Sequence, residues 1–108
     1  PEEFQKDLIY LMDGVSETAT LLGPALKATI GLVRGTVYDR EGVKRAQRQV
    51  RHQRDRVRKR TNDLTRRIFN SDLEFKDIYQ LIHFVECLCD MSNNAASCSD
   101  ILRAMIAR

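Results

Sequence analysis

The sequence predicts an all-α fold, an elongated antiparallel three-helix bundle. Three observations carry that reading. The chain of 108 residues holds only two prolines and five glycines, too few turn-formers for a sandwich or barrel, while residues that favour helices are abundant. Three long segments repeat apolar residues every three or four positions, the period of one helical face. The breaks between them are short, and short turns between long helices join antiparallel neighbours. A chain of 108 residues buries one modest core, so a single helical-bundle domain spanning 1–108 is expected.

The first helix is expected over about 3–34, where Phe4, Leu8, Leu11, Val15, Leu22, Leu26, Ile30 and Val33 share a face. Pro24 cannot donate to the carbonyl of Thr20 and its ring crowds that carbonyl, so a kink near Leu22 or a break into two helices is predicted. Gly31 and Gly35 loosen the end of the segment, and "RGTVYDREG" reads as the connection.

The second helix is expected over about 39–69. Its apolar positions thin to Val43, Val50, Val57 and Leu64, a sevenfold spacing that marks a seam between nearly parallel helices. With Gln53 and Arg60 interrupting, the seam is narrow, and the helix should lie on the outside of the bundle with much of its circumference in water.

The third helix is expected over about 73–107, opened by a capping box of Ser71 and Glu74. Ile78, Leu81, Ile82, Val85, Leu88, Cys89, Ala95, Cys98, Leu102, Met105 and Ile106 give it the richest apolar face, which makes it the expected core helix. At 1.5 Å per residue each helix runs roughly 45 to 50 Å.

Charge is unevenly placed. The chain carries +3 overall, but residues 40 to 67 hold twelve Lys or Arg against three acids, a local +9 that leaves −6 for the rest. The expected binding face is Arg45, Arg48, Arg51, Arg56 and Lys59 on the second helix. Such a face attracts an acidic partner, the anionic inner face of a membrane, or a nucleic acid through counterion release. Nucleic acid is the least favoured of these, because no aromatic residue lies between Asp39 and Arg67 to stack on bases.

No stretch reaches the roughly 20 apolar residues of a membrane span, and "PEEFQKDL" lacks the basic and apolar regions of a signal peptide. A soluble, cytoplasmic protein is therefore expected, with Cys87, Cys89 and Cys98 as reduced thiols. Cys87 and Cys89 are separated by about 200° around a helix and do not chelate one ion together. Gly-rich phosphate loops, serine elbows, Cys-x-x-Cys and His-Glu-x-x-His are all lacking, and no enzyme is expected.

One polar stripe on the third helix carries chemistry: Tyr79, His83, Glu86, Asp90, Asn94 and Ser97, again in steps of three and four. Helical bundles build carboxylate metal sites from acids one turn apart with a nearby histidine. On that pattern Glu86 and Asp90 would hold one edge of a divalent or trivalent metal ion beside His83, with His52 and Asp55 offered by the second helix. The alternative is a solvated polar side of an ordinary bundle helix.

The run from about Val43 to Arg108 resembles the second half of the PhoU-like phosphate transport regulators. The resemblance lies in "HQRD", then "LTRRIF", then "DIYQLIHFVECLCDMSNNA" and a terminal "IAR"; "DLIYLMDGVSETATLLGPAL" fits the preceding helix loosely. It implies a three-helix bundle of a family that pairs two such bundles per chain, binds metal clusters through Glu/Asp-x-x-x-Asp motifs on two helices, and acts beside phosphate transporters at the membrane. Glu86 and Asp90 match that motif, and Asp55 matches on the second helix. Arg51 stands where the family has an acid, so its guanidinium would replace the cation by pairing with carboxylates.

The function expected is thus a non-catalytic regulator of phosphate transport that works through protein contacts with a membrane transporter or its regulatory partner. Two alternatives stand beside it, a metal-binding carboxylate bundle and a basic-helix nucleic-acid binder. The chain has one bundle where the family has two, so either it is a fragment of a tandem-bundle protein or two copies associate as a homodimer that restores the pair.

Overall fold

The computed structural model describes residues 4 to 36 and 39 to 106. It is a bundle of three helices, α1 (Gln5–Arg34), α2 (Arg40–Phe69) and α3 (Phe75–Ile106), each packed on both others in a body of 56 × 21 × 15 Å. The chain runs up, down and up, so α1 and α3 are parallel, with Thr18 level with Ser92, and α2 is antiparallel to both. The expected start at residue 3, the expected end at 107, and Val37 and Tyr38 of the first connection lie outside the described residues.

Helix α1 is continuous through Pro24, so the expected break into two helices does not occur. Thr20, Gly23 and Pro24 all face solvent, so the carbonyl that loses its helical donor is open to water. Gly23 also lacks the Cβ that would clash with the proline ring. The helix closes in a Schellman turn: Gly35 adopts φ 79, its N–H donates to Leu32 O, and the Thr36 N–H donates to Gly31 O.

The core seam of α1 follows Phe4, Leu11, Val15, Thr18, Ala25 and Thr29. Beyond Val15 it leaves the expected face, and Leu26, Ile30 and Val33 are exposed. Small residues occupy the interior there and rotate the larger ones outward.

Helix α2 begins at Asp39, whose side chain accepts from the Gly42 N–H at 3.0 Å. It is a full wall of the core and not an outer helix. Gln47, Gln53, Thr61 and Ile68 are buried between the sevenfold valines and Leu64, and these mostly polar side chains widen the seam that the apolar pattern made narrow. Gln53 reaches α1, donating to the Gly14 carbonyl at 3.1 Å. The approach is close: a Cβ at Gly14 would stand 3.3 Å from Val57 Cγ2, and Val57 would have to give by a few tenths of an ångström.

The capping box at α3 does not form. The Ser71 hydroxyl donates back to Ile68 O at 2.6 Å, closing α2, and α3 starts at Phe75 with the Glu74 carbonyl accepting from the Ile78 N–H. The buried face of α3 is Leu81, Val85, Leu88, Ser92, Ala95, Ala96, Ser99 and Ile106. Cys98 and Met105, expected in the core, are exposed, and Cys89 is half-buried. The helix is one of three equal walls.

Candidate functional site

On α2 the cations divide by direction. Those that lean toward a neighbour are engaged: Arg51 with Asp100 at 3.7 Å, Arg58 with Asn93 Oδ1 at 3.2 Å, Arg67 with Asp7 at 2.9 Å, and Arg60 with the Tyr10 hydroxyl at 2.8 Å while stacking on its ring. Those that point away from the core are Arg45, Arg48, Arg56 and Lys59, all exposed. None of these four is ion-paired with a described acid; Arg56 donates only to Gln53 Oε1 at 3.0 Å. Helical spacing places them on one side, where each charge is hydrated and available.

Four of the five expected binding residues therefore form one outward row. Arg51 does not belong to it, being turned toward α3 and held by Asp100. Further along the same helix the row continues into an open cleft of about 540 Å³ lined by Arg56, Lys59, Arg60, Asn62, Asp63 and Arg66. Arg66 extends the basic face beyond the residues named from sequence, while Arg60, held by Tyr10, lines the cleft from the α1 side. The helical period alone could have placed Arg66 there, since it lies seven residues, close to two turns, beyond Lys59 on the outward side. Four cations against one acid in a shallow opening can take a carboxylate or another small anion by charge-assisted hydrogen bonds.

The metal reading meets a different geometry. His83, Glu86, Asp90 and Asn94 are all exposed on α3, and His83 stacks on Tyr79 with ring centroids 5.8 Å apart. Asp55 is exposed and its carboxylate is taken by Arg54 at 2.8 Å. The α2/α3 register, fixed by Arg58 beside Asn93 and Arg51 beside Asp100, puts Asp55 level with Ala96. It is thus offset from Asp90 and Glu86 by about 9 and 15 Å along the bundle at 1.5 Å per residue. Among the described residues no group of three or more His, Cys, Asp or Glu could hold a metal ion, so Glu86, Asp90 and Asp55 do not fit as a ligand set. Arg51 likewise pairs with Asp100 and not with Glu86 or Asp90.

Among the described residues no helix is long and apolar enough to cross a membrane. Compared with known proteins, the chain matches no family model, no curated protein and no solved structure.

Proposed function

We propose that the protein is a non-catalytic regulatory bundle that acts through protein contacts, presenting the outward row of α2 to an acidic surface on its partner. The observation that carries this reading is the sorting of charge on α2. Arginines that can reach α1 or α3 are used inside the bundle, whereas Arg45, Arg48, Arg56 and Lys59 are left to solvent. Self-repulsion within such a row is relieved when an anionic surface covers it, and complementary charge raises the association rate and selects the partner.

The PhoU-like resemblance of residues 43–108 supplies the context: control of phosphate transport, on the cytoplasmic side, with a membrane phosphate transporter or its regulatory protein as the partner. The test is a charge-reversed variant, Arg45→Glu with Arg48→Glu and Lys59→Glu. All three side chains are exposed, so the fold should be retained. Binding to the phosphate permease or its sensor should fall at least tenfold, and phosphate-responsive control in cells should be lost. Unchanged binding and unchanged control in the folded variant would end the proposal. Binding of the wild type to duplex DNA with a steep salt slope, together with no binding to the transporter, would transfer the row to nucleic acid.

A further inference from the structure

The side of the bundle opposite α2 has the reverse character. On α2 the outward positions in steps of three and four read Glu41, Arg45, Arg48, His52, Asp55, Lys59, Asn62 and Arg66, every one exposed and six charged. The same rule applied to the outer side of the α1/α3 pair runs from Ile9 to Val33 on α1 and from Phe84 to Met105 on α3. Every residue on those two rows is exposed, and none is charged. Met12, Leu26, Ile30, Phe84, Met91 and Met105 lie between 42 % and 56 % exposed. Toward one end the rows enclose a mostly apolar groove between Leu26, Ile30, Val33, Leu102 and Met105, with Thr29 and Arg34 also in its lining. A soluble bundle with 31 % charged residues has no need of such a face unless something covers it.

The order of residues along the two rows says what covers it. The α1 row reads Ile, Met, Ser, Ala, Gly, Leu, Ile, Val from Ile9 to Val33. Large side chains stand at both ends and small ones in the middle, about a centre between Ala19 and Gly23. The α3 row reads Phe, Cys, Met, Asn, Cys, Ile, Met from Phe84 to Met105, with its one amide, Asn94, at the centre. The two centres are level, because α1 and α3 run parallel with Thr18 beside Ser92. We infer that the α1/α3 face is the interface between two copies of this chain, packed face to face and antiparallel about a two-fold axis at the level of Asn94.

That axis sets α1 on the partner's α1 and α3 on the partner's α3. Bulky ends then meet bulky ends of opposite sequence, the small residues cross where the backbones are closest, and Asn94 meets its own copy, a buried amide pair of the kind that fixes register. The rows are roughly 36 and 32 Å long and the face about 20 Å across two helices, roughly 700 Å², within the roughly 600 to 1,000 Å² per partner of a stable interface. A single foreign helix would cover only half that width. A lipid surface is a poorer fit, since Glu86 and Asp90 stand exposed beside the α3 row and oppose anionic headgroups. The face and the direction of packing do not depend on what α2 binds.

Light scattering against concentration tests the inference. The wild type should weigh twice its 12.5 kDa, and Leu26→Glu, at an exposed site, should keep its helical circular dichroism while dissociating at least tenfold more readily, an effect of the size that a charge placed against a large apolar contact gives. In a Cys87→Ser, Cys98→Ser background, oxidation should cross-link Asn94→Cys to its own copy. Met105→Cys, whose copy lies at the far end, should stay uncrosslinked. A wild type that is monomeric at about 1 mM, a dimer indifferent to Leu26→Glu, or cross-linking at Met105→Cys equal to that at Asn94→Cys would each overturn the inference. Arg48→Glu on α2 should leave the mass unchanged, so failure of the regulatory reading and failure of the dimer are read separately.

Discussion

The two halves of the bundle are built from the same three helices but from different materials. In the half that ends at the α2–α3 turn, Phe4, Leu11 and Val15 meet Val57, Leu64 and Ile68 on α2 and Leu81, Val85 and Leu88 on α3, with Leu8, Leu73, Ile78 and Ile82 around them. In the other half the buried apolar cluster shrinks to Ala25, Val50 and Ala95. The space is taken by Thr18, Thr29, Gln47, Gln53, Ser92 and Ser99. There the Gln47 amide donates to Thr29 Oγ1 at 3.1 Å, Thr29 donates to Ala25 O at 2.7 Å, and Ser99 donates to the Gln47 carbonyl at 3.2 Å. Apolar burial scales with area removed from water, whereas a buried hydrogen bond nets about 1 kcal/mol and an unmade one costs more. The aliphatic half should therefore carry most of the stability, and the polar half should fix how the helices are aligned.

The largest effects are expected where the aliphatic half is cut. Ile68→Ala or Leu11→Ala, at side chains no more than 1 % exposed, should cost about 3 kcal/mol in denaturant unfolding. A loss under about 1 kcal/mol at both would mean that the two halves contribute alike. Native-state hydrogen exchange sharpens the same contrast without mutation. The slowest amides should cluster at 57–68 and 81–88, with those at 25–32 and 95–102 exchanging roughly tenfold or more faster.

A middle-sized and opposite effect is expected at Gln47. Its amide nitrogen is satisfied but Oε1 is buried with no partner, so the side chain carries an uncompensated acceptor. Gln47→Leu keeps similar volume and removes that acceptor, and it should raise stability by about 1 kcal/mol. Gln47→Ala should instead lower it by about 2 kcal/mol through the cavity. If both variants lose stability equally, the hydrogen bond to Thr29 matters more than the orphaned acceptor.

These differences explain what could be read from the sequence and what could not. The three helices, their order and nearly all their bounds were legible, because apolar residues at helical spacing and two short breaks leave no other packing. The sevenfold row Val43, Val50, Val57 and Leu64 pointed correctly inward. The second half of α1 was misread because Thr18, Ala25 and Thr29 compete for the core with Leu22, Leu26 and Ile30. A hydropathy pattern always assigns the larger side chains inward, whereas here the smaller ones let the helices approach. Gln47 and Gln53 were illegible as core for the same reason, since burial of an amide depends on an acceptor from another helix. The outward basic row was legible, as Arg45, Arg48, Arg56 and Lys59 sit opposite the valines. The metal motif was not decided by spacing: Glu86 and Asp90 are one turn apart, but the level of Asp55 is set by the α2/α3 register.

The smallest effect concerns the residue at which the polar half borders solvent. Arg51 stands where the PhoU-like pattern implies an acid, and its guanidinium lies 3.7 Å from Asp100 with both side chains partly exposed, at 30 % and 48 %. That distance is long for a hydrogen bond, and Arg51 Nε has no other acceptor. An ion pair of this exposure is worth under about 1 kcal/mol, so a double-mutant cycle with Arg51→Ala and Asp100→Ala should give a coupling of a few tenths of a kcal/mol that fades in high salt. The parallel cycle of Arg51→Ala with Asp90→Ala should give no coupling, because Asp90 is level with Thr61 and not with Arg51. Coupling to Asp90 larger than to Asp100 would mean that the helices slide by two to three turns from this register, and it would bring Asp55 back toward the carboxylates of α3.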